Sequence, residues 1–316
     1  SSSPGSRWVR STVPPPRIFG HETAGTVAKV GVRARGFSVG DRVGLHHHVP
    51  CLKCHACRHR AFAQCPGYKR TGIGAGFEPA GGGYAEFVRV APFCLPGVVK
   101  IPARNTFEEG AMLEPVNTVL KAVRALSLLP GDRVLVAGQG PIGLMFTRLL
   151  KLARIRVIAT DLIEERLVLA RQFGAAHALL PSRPDFTSEI DRLTRGIGLD
   201  AAVIAVPSND VVRQSRQLLR GGGQLMLFAH TKRGDEMPID LSTICVDEKP
   251  LLGSYSSDFL LQDEVADLVF SRKLDTRKLI THRFRLEDTA RAIDLAAKPS
   301  PDALKIMVKP ELDGPV

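Results

Sequence analysis

The sequence predicts an α/β protein of two domains, a small β-barrel and a doubly wound parallel sheet. Its 316 residues are enough for two hydrophobic cores of ordinary size. From Ile18 to Ile101 short runs of branched residues alternate with glycine turns, which is typical of a barrel. Beyond Val119 helical and strand patterns alternate, which indicates βαβ units and a parallel sheet. The predicted segments are 1–117 in the barrel domain, 118–253 in the sheet domain, and 254–316 returning to the barrel domain.

The charge pattern and the hydropathy of the chain argue against two classes of partner. The net charge is +11, but the basic residues stand singly or in pairs among acids, so the sequence predicts no binding to nucleic acid. No run approaches the ~20 apolar residues that span a bilayer, and the first residues show no signal-peptide core. We therefore expect a cytoplasmic protein without a membrane partner. Order is expected to begin near Ile18, after the low-complexity Ser1–Ser6 and the prolines Pro14–Pro16.

A glycine motif follows the apolar run 134–137. Gly138, Gly140 and Gly143 have the Gly-x-Gly-x-x-Gly spacing, and Pro141 suits the first turn of a helix. The first glycine permits a tight turn, the second lets a pyrophosphate approach the backbone, and the third lets the helix pack closely on the strand. The helix N-terminus would supply N–H groups to the phosphates. The residues predicted to bind a dinucleotide here are Gly138, Gly140, Pro141, Ile142 and Gly143.

An acidic residue after the next predicted strand favours NAD over NADP. Asp161 follows the strand pattern 157–160 and comes about 20 residues after the glycine motif, where an acid binds the adenosine ribose hydroxyls. Glu164 and Glu165 follow it, and three carboxylates would repel a 2′-phosphate. The sequence therefore predicts NAD as the cofactor.

Four of the six cysteines lie close together, at Cys51, Cys54, Cys57 and Cys65. Four thiolates suit one tetrahedral zinc ion, and such a closed site is structural because no position remains for water or substrate. An iron–sulfur cluster is the alternative, since Cys65-Pro66 resembles the end of the bacterial ferredoxin motif. That motif has three residues before its last cysteine, whereas seven separate Cys57 from Cys65. The spacing therefore favours structural zinc.

Two further groups of polar residues could bind a metal. Glu114 precedes a proline between apolar stretches, where a carboxylate is costly to bury without a partner such as a metal. A position on the surface of a helix is the alternative. The three histidines of the run 46–48 are neighbours on a predicted strand. Their side chains should point to opposite faces, so we do not expect them to converge on one ion.

Local signals in the first half of the chain predict a strand and a helix. Residues 84–90 alternate in polarity as a strand does. Thr106 and Glu109 form a capping box that opens a helix, because each side chain can satisfy a backbone donor of the other residue. The segment 114–118 is expected to interrupt that helix.

Local signals in the second half predict two helix ends. Gly174 stands where a left-handed residue would end a helix with an apolar stripe. Asn209 and Asp210 form the predicted N-cap region of a later helix. The glycines 221–223 are expected to end that helix and to precede a strand.

Several of these pieces together resemble the zinc-dependent medium-chain dehydrogenases. The resemblance covers the chain from about Ile18 to Pro310 and rests on the four-cysteine lobe, the dinucleotide motif, and three short segments. Those segments are Gly20-His21-Glu22, Gly40-Asp41-Arg42-Val43 and Leu279-Ile280-Thr281-His282-Arg283-Phe284. Leu113-Glu114-Pro115 is similar to the sorbitol and polyol branch, where the glutamate lies at the catalytic metal.

The resemblance implies a GroES-like β-barrel catalytic domain split around a doubly wound Rossmann domain, with the active site in the cleft between them. It assigns His21 and Glu22 as ligands of a catalytic zinc, with Glu114 as a direct or water-linked ligand. Thr118 would lie beside the nicotinamide. The implied enzyme is a zinc-dependent oxidoreductase that transfers a hydride from a secondary alcohol, of a polyol or sugar, to NAD. A homodimer or a homotetramer is expected.

One departure from the family leaves two alternatives for the catalytic metal, that it is present or that it has been lost. Relatives carry a cysteine ligand well upstream of the Gly-His-Glu histidine, at a place that falls before Ser1, and no cysteine precedes Cys51. Either the sequence is part of a longer enzyme, or it is a non-catalytic nucleotide-binding relative without catalytic zinc. The retention of His21, Glu22 and Glu114 favours the longer enzyme. Another hydroxyl substrate, such as an amino alcohol or a pathway-specific metabolite, is also compatible with the sequence.

Overall fold

The computed structural model describes residues 18, 20–32, 34–46, 48–71, 81–229, 231, 234–298 and 300–310. The chain divides into two compact units, of which unit 1 comprises Ser1–Thr118 and Ser256–Val316 and unit 2 comprises Val119–Tyr255. The predictions for Ser1–Ser6 and Pro14–Pro16 lie outside the described residues. No helix within the described ranges is both long and apolar enough to cross a bilayer.

The described strands belong to three sheets. They are β1 Glu22–Thr26, β2 Arg42–His46, β3 Val98–Lys100, β4 Arg133–Ala137, β5 Arg156–Thr160, β6 His177–Leu179, β7 Leu199–Ile204, β8 Leu219–Leu227, β9 Leu251–Gly253, β10 Ile280–Arg285 and β11 Lys305–Lys309.

The α-helices within the same ranges vary from one to more than three turns. They are α1 His55–Arg58, α2 Pro66–Thr71, α3 Phe107–Ala111, α4 Leu113–Ala125, α5 Pro141–Leu152, α6 Glu164–Phe173, α7 Phe186–Thr194, α8 Asn209–Gln217, α9 Leu241–Cys245, α10 Gln262–Phe270 and α11 Thr289–Ala297. Short 3₁₀ turns cover Phe62–Gln64, Pro92–Gly97, Phe259–Leu261, Thr276–Leu279 and Leu286–Asp288.

Unit 2 is built on a parallel six-stranded sheet in the order β6-β5-β4-β7-β8-β9. β4, β5 and β7 are buried over nearly their whole length, as expected where both faces of a parallel sheet are covered. The strand order reverses between β4 and β7, and ligands of such sheets bind at the carboxyl ends of the strands beside this switch point. This topology confirms the predicted doubly wound domain.

Unit 1 contains an antiparallel sheet in the order β1-β2-β3 and a parallel pair of β10 with β11. The register of β1 with β2 places Glu22 opposite His46. β11 begins at Lys305, whose ammonium group donates a hydrogen bond to the Glu22 carboxylate. Two strand ends that are far apart in sequence therefore meet at Glu22.

The predicted capping box at the start of α3 is confirmed and forms part of a larger buried network. The Glu109 amide donates to Thr106 Oγ1 at 3.1 Å, and the Thr106 amide donates to Glu109 Oε2 at 2.8 Å. Glu109 is fully buried, and its Oε1 accepts from Arg272 Nε at 2.9 Å and from Asn105 Nδ2 at 2.9 Å. Burial alone would raise the pKa of Glu109, but these donors outweigh it and hold the pKa below its usual value.

Replacing Arg272 with methionine should lower the free energy of unfolding of unit 1 by about 3–5 kcal/mol at neutral pH, because a buried carboxylate would lose its cation. The stabilisation by Glu109 is present above the unfolded pKa of about 4.3 and is lost as the pH falls through the lower folded value. The difference between the variant and the original protein should therefore shrink in acid. Thermal melts across this pH range would measure it.

The control is Lys273→Met, because the Lys273 ammonium makes an exposed ion pair with Asp267 at 2.8 Å. Such surface pairs contribute about 0–1 kcal/mol. Equal stability losses in the two variants at neutral pH would contradict the assigned role of Arg272.

Two element predictions in the first half of the chain are wrong. The helix break lies at Met112, and residues 114–118 belong to α4. Pro115 is tolerated because it stands in the first turn of α4, where a missing N–H costs no helical hydrogen bond. Residues 84–90, which the structure describes, do not form the predicted strand.

The helix ends predicted in the second half are confirmed in part. Gly174 has φ +106° and ends α6 as predicted. The N-cap of α8 is Ser208, whose hydroxyl accepts from the Val211 amide at 3.3 Å, rather than Asn209 or Asp210. The glycines 221–223 do not end this helix, which stops at Gln217, and they lie inside β8 instead.

Candidate functional site

Three side chains that could bind a metal meet in unit 1. His21 directly precedes β1, Glu22 begins that strand, and Glu114 lies in the first turn of α4. One donor atom from each side chain lies within 4.8 Å of the other two. Glu114 is buried, which excludes the alternative of a helix surface position. The structure therefore brings together the three residues that the sequence singled out for a catalytic metal.

The backbone before β1 fixes the direction of the His21 side chain. Gly20 has φ +99°, a conformation that favours glycine, and a Cβ at this position would lie 3.1 Å from the Tyr84 amide nitrogen. The Gly20 carbonyl accepts a hydrogen bond from the Gly83 amide at 2.8 Å. A larger residue at position 20 would move the chain and His21 with it.

Glu114 faces histidine rings on two sides. Its Oε2 lies 3.9 Å from His21 Nε2, and its Oε1 lies 3.8 Å from His48 Nδ1. Both distances exceed a hydrogen bond. The two rings themselves have centroids 5.3 Å apart. His21 and Glu114 are therefore close enough to share an ion without a direct hydrogen bond between them.

The two carboxylates of this group have opposite pKa shifts. Burial raises the pKa of Glu114 to about 7, with the Glu22 charge adding to the effect and His21 opposing it. Burial also acts to raise the pKa of Glu22, but the charges of Lys305 and His21 outweigh it and leave the pKa below its usual value. Glu22 is thus an anion with a cation already beside it, whereas Glu114 is a buried carboxyl group whose charge needs compensation.

This donor set fits zinc. Imidazole nitrogen and carboxylate oxygen are ordinary ligands of catalytic zinc sites, which keep one position open. A divalent cation would offset the cost of ionising Glu114 in its buried position.

The cysteine lobe forms a second, separate group of potential ligands. The sulfur atoms of Cys51, Cys54, Cys57 and Cys65 all lie within 4.8 Å of one another. The Cys54–Cys57 sulfurs are 3.5 Å apart and the Cys51–Cys57 sulfurs are 4.0 Å apart. Thiolates bound to one tetrahedral zinc at about 2.3 Å stand roughly 3.8 Å from each other, so the four cysteines form a structural zinc site.

The pKa values of two thiols in the lobe are shifted in opposite directions. Amide donors of Lys53 and Cys54 lower the pKa of Cys51 to about 6. Burial raises the pKa of Cys57 to about 12. Cys51 is therefore ready to bind a metal at neutral pH, whereas Cys57 must lose a proton when the ion binds.

The glycine motif forms the turn between β4 and α5 in unit 2. Gly138 has φ +91°, and Pro141 stands at the start of the helix with Gly140 as its N-cap. A Cβ at Gly143 would lie 1.7 Å from the Gly138 carbonyl oxygen, so only glycine lets the helix pack this closely. Ile142 follows Pro141 in the first turn. Backbone amides at a helix N-terminus of this kind can bind the phosphates of a dinucleotide.

Asp161 is tied to this turn by backbone hydrogen bonds. Its Oδ2 accepts from the Gln139 amide at 2.6 Å, and its Oδ1 accepts from the Ile163 amide at 3.0 Å. Each oxygen retains a further lone pair for a ribose hydroxyl. The Arg166 guanidinium lies 4.0 Å from Oδ2, so a positive charge stands beside the predicted ribose site.

Thr118 lies one helical turn after Glu114 on the same side of α4. Its hydroxyl donates to the Pro115 carbonyl at 2.8 Å. This bond fixes the rotamer of Thr118 next to the metal-binding group.

Sequence reasoning missed Lys305, Gln139 and Arg166 near these sites, and it set His48 aside with the rest of its run. Gln139 is buried in the phosphate turn, where its side chain donates to the Val136 carbonyl at 2.9 Å and accepts from Thr147 Oγ1 at 2.9 Å. Only Gln139 could have been found locally, since it stands inside the glycine motif.

Comparisons with known proteins identify a family profile for a stretch of each unit. The profile of the zinc-binding dehydrogenase family matches residues 141–271, and that of the alcohol dehydrogenase GroES-like domain matches residues 5–103. These matches confirm the GroES-like and Rossmann domains predicted from the sequence.

Individual relatives share most of this chain. A sorbitol dehydrogenase of Bombyx mori is 31% identical over 300 residues, which are 93% of this chain and 82% of the relative. An L-threonine 3-dehydrogenase of Shewanella frigidimarina is 31% identical over 291 residues, 91% of this chain and 81% of the relative. The crystal structure of 2R,3R-butanediol dehydrogenase from Bacillus subtilis is 28% identical with a TM-score of 0.79, covering 94% of this chain and 82% of that chain.

Proposed function

This chain belongs to the zinc-dependent medium-chain dehydrogenases, and we propose that it oxidises a secondary alcohol of a polyol or sugar with NAD. The coarser statement, a zinc-dependent dehydrogenase that uses NAD(P), holds for the family as a whole. The observation that carries the finer proposal is the grouping of His21, Glu22 and Glu114. The segment Leu113-Glu114-Pro115 is the one that resembles the polyol branch.

The residues of unit 1 have distinct roles in this proposal. His21 supplies a ring nitrogen to the metal, and the buried Glu114 supplies the negative charge that keeps the cation in place. Glu22 adds a second carboxylate, whose charge is balanced by Lys305. Thr118 borders the nicotinamide. Zinc, when bound, acts as a Lewis acid that lowers the pKa of an alcohol and favours release of its carbinol hydride to the nicotinamide.

The residues of unit 2 bind and orient the cofactor. The N-terminal amides of α5 hold the pyrophosphate, and the glycines of the turn allow its close approach. Asp161 accepts hydrogen bonds from the adenosine ribose.

The test is NADH absorbance with sorbitol, xylitol, 2,3-butanediol, L-threonine and ethanol as substrates. It should be run on this chain and on a chain carrying any residues that its gene encodes before Ser1. We expect kcat/KM for a polyol to exceed that for L-threonine and ethanol by at least about ten-fold, the discrimination available from one well-placed contact. Turnover of none of these alcohols, or one zinc per chain where the two ligand groups predict two, would favour a non-catalytic nucleotide-binding protein.

A second candidate reaction is the oxidation of a hydroxy amino acid. It is supported by the L-threonine 3-dehydrogenase of Shewanella frigidimarina, which is as similar to this chain as the sorbitol dehydrogenase of Bombyx mori. The same panel distinguishes the two candidates, since the highest kcat/KM would then be found with L-threonine.

Replacing Asp161 with serine should weaken NAD binding by roughly 1.5–3 kcal/mol, the contribution of a hydrogen bond to a charged group, which is about 10- to 150-fold in Kd. The binding of NADP should gain in relative terms, because Arg166 would remain beside the ribose without the Asp161 carboxylate. Fluorescence titration with both nucleotides measures the change.

The matched control is Glu165→Gln, which removes one negative charge from the same region at an exposed position. It should change the NAD to NADP preference by less than Asp161→Ser. A wild-type protein that already prefers NADP would show that the assignment of Asp161 is wrong.

A further inference from the structure

A buried amide side chain ties the phosphate turn of unit 2 to the elements on either side of it. Gln139 stands between the first two glycines of the motif and is fully buried. Its Nε2 donates to the Val136 carbonyl of β4 at 2.9 Å, and its Oε1 accepts from Thr147 Oγ1 of α5 at 2.9 Å. Thr147 is fully buried as well. One side chain therefore connects the turn to the strand before it and to the helix after it.

The backbone of the same residue holds the carboxylate that the proposed function assigns to the adenosine ribose. The Gln139 amide donates to Asp161 Oδ2 at 2.6 Å. Because the Gln139 side chain is hydrogen-bonded through both its nitrogen and its oxygen, residue 139 has little freedom to turn. Its N–H therefore keeps one direction, toward Asp161.

The bond from Thr147 to Gln139 is not the one that a helical threonine makes by default. A threonine hydroxyl inside a helix can donate to a backbone carbonyl three or four residues earlier. Thr194, at the end of α7 in the same unit, does so, with its Oγ1 2.9 Å from the Ile190 carbonyl oxygen. Thr147 Oγ1 instead donates to the side chain in the turn, so this hydroxyl serves the turn rather than its own helix.

We propose that Gln139 and Thr147 are positioning residues for the cofactor, which hold the phosphate turn and, through the Gln139 amide, the Asp161 carboxylate in the conformation that binds NAD. This inference rests on the cofactor site of the proposed function and adds two buried residues behind it. A turn that is only partly in the competent conformation lowers the apparent affinity in proportion to the competent fraction. The pair therefore raises the affinity for NAD from behind the turn.

The test compares NAD affinity with stability in variants of the full chain. Thr147→Val removes the hydroxyl and keeps the shape, so Gln139 Oε1 loses its donor. We expect the Kd for NAD to rise about ten-fold, as for a turn that is competent about one tenth of the time, and the melting temperature to fall. Thr147→Ser retains the donor and should bind NAD within about two-fold of the original protein. Isothermal titration calorimetry and thermal melts measure the two quantities.

A double variant separates positioning from packing. Gln139→Met combined with Thr147→Val replaces both partners by apolar side chains of similar size, which is often nearly neutral for stability. We expect the melting temperature to recover while the Kd for NAD stays raised about ten-fold, because nothing then ties the turn to α5. Recovery of both quantities would show that the pair is structural only. This variant also keeps the test interpretable if Thr147→Val does not fold.

Thr194→Val is the matched control, because Thr194 is a buried threonine of the same unit whose hydroxyl bonds to backbone atoms of residues 190, 191 and 198. It should lower the melting temperature and leave the Kd for NAD unchanged. The effects of Thr147→Val and Asp161→Ser on NAD affinity should be non-additive, because the pair acts in part through Asp161. Additive effects would contradict the proposed link.

The same titrations distinguish failure of this inference from failure of the proposed function. If Asp161→Ser weakens NAD binding and Thr147→Val leaves it unchanged, Gln139 and Thr147 are not positioning residues although the proposed function stands. If the original protein binds neither NAD nor NADP, both the cofactor site of the proposed function and this inference fail.

Discussion

His21→Ala is expected to reduce hydride transfer by at least about a thousand-fold while the fold and nucleotide binding persist. His21 supplies a ring nitrogen to the group that also contains Glu22 and Glu114. Without it, the carboxylates of Glu22 and Glu114 would remain in this group, and the charge of Glu22 is already balanced by the Lys305 ammonium. Lewis-acid stabilisation by a metal contributes several kcal/mol to such a reaction, and about 4 kcal/mol corresponds to a thousand-fold in rate.

Three readouts separate this effect from unfolding. The zinc content should fall from two ions to one per chain, because the cysteine lobe is independent of His21. The melting temperature of unit 2 and the affinity for NAD should stay within error of the original protein. His177→Ala serves as the control, since His177 is an exposed histidine on β6. Full activity in the His21 variant, or loss of both zinc ions, would overturn the assignment.

The parts of the fold that the sequence predicted are those coded by short-range chemistry. The capping box of Thr106 and Glu109 is satisfied within four residues, and the left-handed Gly174 is specified by the helix it ends. The turn at Gly138 requires its own φ +91° and the absence of a Cβ at Gly143. Each of these signals is complete in a window shorter than one helix.

The incorrect predictions of helices and strands arose where a local signal depends on a distant partner. Glycines 221–223 look like a helix stop, but a Cβ at Gly223 would lie 2.8 Å from the Leu199 carbonyl oxygen. The β7–β8 pair shifts register between Leu199 and Ala201, so glycine serves a close approach of two strands there. Residues 84–90 alternate as a strand does, yet they join no sheet that the structure describes.

The neighbours of the metal group were beyond the reach of the sequence for a similar reason. Lys305 and Glu22 are 283 positions apart, and nothing near either residue signals the other. His48 was set aside because alternate residues of a strand point to opposite faces. β2 ends at His46, so that alternation does not apply to His48. His47, the third residue of the run, lies outside the described residues.

Cys57→Ser is expected to release the zinc of the lobe and to lower the stability of unit 1, because one of four thiolates is lost. Structural zinc in small domains contributes about 10–16 kcal/mol of binding free energy that is coupled to folding. The lobe has only a small apolar cluster besides its cysteines, formed by Phe62 and Tyr68. Protein that stays soluble should keep its second metal and some hydride transfer. Zinc content, melting temperature and NADH production measure these effects.

Cys245→Ser is the control for this variant, since Cys245 is exposed and outside the lobe. It should change neither zinc content nor melting temperature. A Cys57→Ser protein with unchanged zinc and stability would show that the lobe does not depend on a four-thiolate metal.

Proton release gives an independent measure of the same site. The pKa of Cys57 is raised to about 12 by burial, so Cys57 is a thiol at pH 7 in the stripped protein and must lose its proton to zinc. The pKa of Cys51 is lowered to about 6, so this residue is already mostly thiolate and releases little. Zinc affinity should therefore fall as the pH is lowered. Cys57→Ser should reduce the protons released per zinc bound to the stripped chain, and an unchanged proton count would contradict the ligand role of Cys57.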